Sequence, residues 1–223
     1  MGAFIGYTAI KHNKKATLDA IDRYYKTLNL GLVEEGIAGR QGKYIKYPDQ
    51  TKSLEEFYQA ESRAREKLAS KGKVISTNFV LFSNLKENKG WQIMLLNPRF
   101  GMFPDPELAE YVSRELNTAV INYYYYSVPN TITIDKFING NRKDAFHFDG
   151  IDFEVEFTMG EFGKHKGIAF DSMDEVSNIK VEYLKSQGLN FEAAELNELN
   201  PETCYPMYLS GNPDDIKNYL YSF

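Results

Sequence analysis

Few residues in this chain have types and spacings suited to chemistry, and the three histidines, His12, His147 and His165, come first. His147-Phe148-Asp149 sets an imidazole and a carboxylate two residues apart, and on a strand that spacing puts both on one face. With His165 they would supply two imidazoles and one carboxylate, a donor set suited to Fe(II). A metal-dependent or small-molecule enzyme with its site near His147 is the catalytic reading. Asp149 has a simpler explanation, because Asp149-Gly150 is a turn dipeptide. The single cysteine, Cys204, has no basic neighbour in sequence to activate it and reads as a buried structural thiol. Asp152, Glu154 and Glu156 alternate along one segment. Paired carboxylates can exchange protons, but an alternating acidic row is ordinarily the wet side of a sheet. The glycines between Gly36 and Gly42 end in no Gly-Lys-Ser/Thr and open no helix, so they do not form a phosphate loop. No cofactor signature is present.

The elements that must position these residues centre on the stretch from Trp91 to Phe157. Asp105-Pro106 is an N-cap carboxylate before a proline at the first helical position. Leu108, Tyr111, Val112 and Leu116 then mark one face of a helix over 106–117. Thr118–Val128 turns β-rich. Its four consecutive tyrosines put Tyr123 and Tyr125 on one face and Tyr124 and Tyr126 on the other. Thr131–Ile138 returns, Asn139-Gly140 predicts a type I′ turn, and Asn141–Phe148 follows. Ile151, Phe153, Val155 and Phe157 alternate with the three acids and predict a half-buried strand over 151–157. The expected core includes Leu108, Val112, Leu116, Val120, Ile132, Ile134, Phe153 and Val155.

On either side of this stretch the periodicity predicts a first strand over 3–10, a helix from about Thr17 to Leu28, and a hairpin pairing 32–37 with 43–47. A capped helix follows over 54–70, then paired strands over 73–83 and 91–96. Ser172-x-x-Glu175 opens another helix that stops at Gly188, Cys204–Ser210 is extended, and Asn212-Pro213 opens a last helix. The result is an α+β protein, mostly antiparallel sheet with about five helices packed on it. It reads as one compact domain over 1–223, with a two-lobed split near 85–100 as the alternative.

Composition narrows the function. No apolar run approaches the ~20 residues of a membrane helix, and the apolar start, Met1–Gly6, lacks a basic region and is too short for a signal peptide. One cysteine permits no internal disulfide, which fits a reducing cytoplasm. The net charge of −5 hides a gradient. Residues 1–100 hold 17 Lys/Arg against 10 Asp/Glu, net +7, whereas residues 101–223 hold 9 against 21, net −12. Such asymmetry bears on partners and association rate rather than on fold. The basic residues from Arg63 to Lys73 lack interleaved aromatics, so nucleic acid is not the favoured partner.

The run Ser113-Arg114-x-Leu116-Asn117-Thr118-Ala119-Val120-Ile121, followed by a meander through Gly140, resembles one recurring in small bacterial proteins of unknown or immunity function. Those proteins are similar to the cytoplasmic immunity partners of polymorphic toxin systems. The likeness spans residues 90–158. It implies an α+β fold, no cofactor and action by binding, and it supplies no functional residues. The favoured function is therefore a non-catalytic bacterial cytoplasmic binding protein, an immunity-type inhibitor of a basic toxin domain. Asp152, Glu154 and Glu156 would form the docking surface, with Tyr124 and Tyr126 as anchors. The enzyme near His147 and an interaction protein of another kind are the alternatives. The oligomeric state has no signal in the sequence.

Overall fold

The computed structural model describes residues 4–33, 66, 70, 74–82, 90–95, 103–128, 130–190 and 204–221. Among the described residues nine strands form one sheet: β1 (Phe4–Ile10), β2 (Gly31–Val33), β3 (Val74–Phe82), β4 (Gln92–Leu95), β5 (Ala119–Tyr126), β6 (Thr131–Ile138), β7 (Asn141–Asp149), β8 (Glu154–Met159) and β9 (Cys204–Gly211). Their order is β2-β9-β3-β4-β1-β5-β6-β7-β8. Every neighbouring pair is antiparallel. The described helices are α1 (Lys14–Thr27), α2 (Pro106–Glu115), α3 (Met173–Ser186) and α4 (Pro213–Tyr221), with a 3-10 turn at Gly160–His165. This is the expected α+β fold with an antiparallel sheet.

Period-two alternation gives the sheet two apolar faces, and helices cover both. On one face Val176, Tyr183 and Leu184 of α3 and Phe162 of the 3-10 turn pack on Ile5, Tyr7, Ile121, Tyr123, Ile134, Phe146 and Phe148. On the other, Leu18, Ile21 and Tyr25 of α1, Leu108 and Val112 of α2, and Ile216 and Tyr219 of α4 pack on Ile10, Met94, Val120, Phe137 and Leu209. The tyrosine run divides as the pleat requires. Tyr123 meets Tyr7 on the α3 face, ring centroids 5.0 Å apart. Tyr124 lies on the opposite face, stacked on Phe103 at 4.6 Å.

The local signals around β5–β7 act as expected. Asp105 caps α2 by accepting from the Glu107 and Leu108 N–H groups at 2.9 and 3.2 Å. Asn139 and Gly140 both have positive φ, 50° and 72°, as a type I′ turn demands. The Gly140 N–H donates to Ser113 Oγ at 2.9 Å, fastening that hairpin to the end of α2. Gly188, with φ 77°, is the left-handed residue that ends α3. Leu108, Val112, Val120, Ile132 and Ile134 are fully buried, whereas Leu116, Phe153 and Val155 are only partly covered.

Two expectations need correction, the start of the first helix and the strand over 151–157, and one is left outside the described residues. Helix α1 starts at Lys14 rather than near Thr17, because the Asn13 side chain accepts from the Ala16 N–H at 2.9 Å and caps it there. Strand β2 pairs with β9, while its expected hairpin partner over 43–47 lies outside the described residues. The strand expected over 151–157 begins only at Glu154. The Asp149 carboxylate accepts from the Ile151 N–H at 2.8 Å and holds the chain in a turn through Phe153, which takes φ 56°. A β-bulge at Glu156 then breaks the alternation, since His147 faces Phe157 but Phe148 faces Val155. Of the basic helix expected over 54–70, only Glu66, which is helical, and Ser70 are described. The glycines from Gly36 to Gly42 and the Cys204 side chain are outside the description.

Candidate interaction surface

The bulge decides which side chains meet on the outer part of the α2 face. Cα partners put Tyr124 of β5, Thr133 of β6, His147 of β7 and Phe157 of β8 in one row across four strands. The next row is Asn122, Asp135, Ala145 and Met159. Without the bulge, Phe157 would face α3 with Val155. With it, Phe157 lies beside the His147 ring, centroids 5.4 Å apart, and remains 43% exposed.

Polar groups under the row are tied down. Thr8 Oγ1 donates to Asn122 Oδ1 at 2.8 Å, and Asn122 Nδ2 donates to the Asp105 carbonyl at 3.2 Å. Asp135 is buried and holds two cations or donors on one oxygen, His147 Nε2 at 3.0 Å and Arg142 Nε at 3.4 Å. His147 can thus serve as a positioned acid or base. No hydroxyl or thiol is hydrogen-bonded to it among the described residues.

The residues singled out as a metal set are not brought together. His147 turns to the α2 face, while His165 sits 6.3 Å from the ring of Phe146, on the α3 face. Asp149 is engaged in its turn. Among the described residues no group of three or more His, Cys, Asp or Glu is placed to hold a metal ion.

The acids gather at the β8 edge. Asp152 lies in the turn rather than on the strand, Glu154 opens β8, and Glu156 is the bulge residue; all three are exposed. Asp149 stands directly opposite Glu154. None of these four carboxylates makes an ion pair with a described residue. Interleaved with them are Ile151, 75% exposed, and Met159, 41% exposed. The tyrosines expected as anchors are less available. Tyr124 is only 8% exposed, and burial, then Tyr126, pushes its phenol pKa upward. Tyr126 is half-buried. The exposed aromatics on this face are Phe103 and Phe157.

Sequence reasoning missed Asp135, Phe103 and Phe157. An acid inside the apolar run Thr131–Ile138 was a usable signal for Asp135, since such a residue needs a buried partner. Nothing in the alternation announced the bulge that re-aims Phe157.

The α3 face carries a second polar centre. Asp144 Oδ2 accepts from the Tyr183 hydroxyl at 2.8 Å and lies 3.3 Å from Lys136 Nζ, while Oδ1 accepts from the Glu161 N–H at 2.9 Å. Burial, then the hydrogen bond to Asp144, pushes the Tyr183 phenol far above its ordinary pKa and keeps it protonated. A cleft of about 220 Å³ opens beside it, lined by Glu161, Phe162, Lys164, His165, Glu182 and Tyr183 among others. Burial, then the Lys164 charge, lowers the His165 pKa.

No protein-family model, curated protein sequence or solved structure matches the chain. No helix among the described residues is long and apolar enough to cross a membrane.

Proposed function

We propose that this protein acts by binding a cationic protein partner, as an immunity-type inhibitor in a bacterial cytoplasm, and not by catalysis. One observation carries the reading. The β8 edge and its turn combine four acids that make no ion pair with a described residue and three exposed large apolar residues, Ile151, Phe157 and Met159. Apolar anchors with a charged surround are the ingredients of a specific interface. The acids suit a partner whose own surface is basic, such as a nuclease-type toxin domain built to hold phosphates. Complementary fields would steer the encounter.

The test uses the partner captured from the native host. Replacing Asp152, Glu154 and Glu156 by Asn, Gln and Gln leaves folding nearly intact, because exposed charges contribute little to stability. It slows association at low salt and flattens the salt dependence, while Phe157→Ala speeds dissociation. An unchanged association rate at low salt, together with unchanged dissociation from the Phe157 variant, would remove this surface from consideration.

A second reading, an enzyme acting on a small molecule, draws on the Asp135–His147 pair. A general base needs a substrate proton within hydrogen-bond reach. Turnover abolished by His147→Gln with the fold intact would favour it over binding.

A further inference from the structure

Among the described residues strand β8 is at one edge of the sheet. It pairs with β7 on one side, and on the other its backbone hydrogen-bonds to no described residue. At six residues it spans roughly 20 Å, long enough to template another strand. The opposite edge, β2, has three residues. Exposed edges of this length invite pairing, and proteins restrain it with charge and bulges. Both devices occur here, in Glu154, Glu156 and the bulge at Glu156.

Charge restraint is selective. If two copies met edge to edge in antiparallel fashion, two acid-bearing edges would be brought side by side, which like charge disfavours. A basic strand meets the opposite situation. Asp149 and Glu154 already form a like-charge pair directly across β7 and β8, an arrangement that costs stability until a cation lies beside it. Phe157 and Met159 share that face and stay uncovered. A tenth strand would lay one of its side chains against them.

Resting on the reading of a cationic protein partner, we infer that β8 is the docking edge for an extended lysine- or arginine-bearing segment of that partner, which joins the sheet by main-chain hydrogen bonds. Main-chain pairing supplies affinity and alternate side chains supply selectivity. The basic positions lie against Asp149, Glu154 and Glu156, and an apolar position covers Phe157.

The probe is a capped synthetic peptide of about eight residues, the length of an ordinary strand, built from lysine, valine and threonine so that each of its two faces carries both lysine and an apolar residue. Its control has the same sequence and charge but N-methyl groups on alternate peptide bonds. Isotope-labelled protein is titrated at low salt, and hydrogen exchange is followed at the amides of residues 154–159. The plain peptide is expected to slow exchange along β8. The methylated one is expected to bind at least about ten-fold more weakly, the equivalent of one or two lost hydrogen bonds. Equal binding of the two peptides would overturn strand addition while leaving charge-steered docking in place. Absence of any β8 response at millimolar peptide would also overturn it. Protection that rises with protein concentration alone would make a second copy the occupant, and that too would overturn it. The broader binding reading fails separately, through the native partner's indifference to the acid and Phe157 substitutions.

Discussion

Tyr183→Phe isolates one hydroxyl in a buried network. The ring stays against Phe162, 4.3 Å between centroids, so packing is preserved. What is lost is a 2.8 Å hydrogen bond to the Asp144 carboxylate. A bond to a charged acceptor contributes about 1.5–3 kcal/mol. Asp144 would keep Lys136 on the same oxygen and the Glu161 N–H on the other, so its burial stays partly compensated. The lower end applies, about 1.5–2 kcal/mol, or roughly 3–8 °C in Tm for a chain of this size. Asp144→Asn should cost more, about 3 kcal/mol, because it strands the Lys136 charge in a largely buried site. Urea unfolding with unchanged m values measures both, and the double variant should show a coupling of about 1–2 kcal/mol. A loss below about 0.5 kcal/mol for Tyr183→Phe, or strict additivity in the double variant, would refute the claim that this network fastens α3 to β7.

Gly160 has φ 64°, and an added Cβ would run into the Lys143 carbonyl and the Asp144 carboxylate. Gly160→Ala should therefore destabilise by about 2 kcal/mol or more in the same unfolding assay, whereas Gly167→Ala, with open space around it, should cost less. Leu108→Ala should cost about 2–5 kcal/mol and Leu116→Ala about half that, since only the first is fully buried; the reverse order would contradict the packing. The folded-state pKa of His165 is lowered, so the unfolded chain takes up that proton first. Its contribution is complete above the ordinary histidine pKa, is lost as pH falls from there through the lowered folded value, and is flat below. His165→Gln should thus lose less stability than the parent between about pH 7 and pH 5, followed by thermal melts across that range.

The sequence was most legible where one local signal decided the outcome. Asp105-Pro106 capped α2, Asn139-Gly140 made the hairpin, and Gly188 closed α3. The tyrosine run split across two faces because a pleat leaves no alternative. Legibility failed where two local effects competed. Asp149 was read as a turn residue, but its carboxylate holds the chain as far as Phe153, past the residues whose alternation suggested a strand. The bulge at Glu156 then reversed the facing of Phe157. The candidate surface suffered accordingly. Its acids were visible as an exposed group, but the unbroken alternation had put Phe157 on the same face as Val155 rather than beside them. Long-range pairing, such as β2 with β9, leaves no trace in a local pattern.

The order of strands also sets a timetable for synthesis. β9 lies between β2 and β3, and of the described strands it is made last. At translation rates of about 5–20 residues per second, the interval between completing β3 at Phe82 and making β9 from Cys204 onward is on the order of ten seconds. Throughout that interval β2 and the outer side of β3 lack their native neighbour on the ribosome. A nascent chain in this state offers open edges to other chains, so the late-arriving C-terminal strand makes yield sensitive to truncation and to chaperone supply. Chains ending before Cys204 should aggregate even though the β5–β8 meander is already complete.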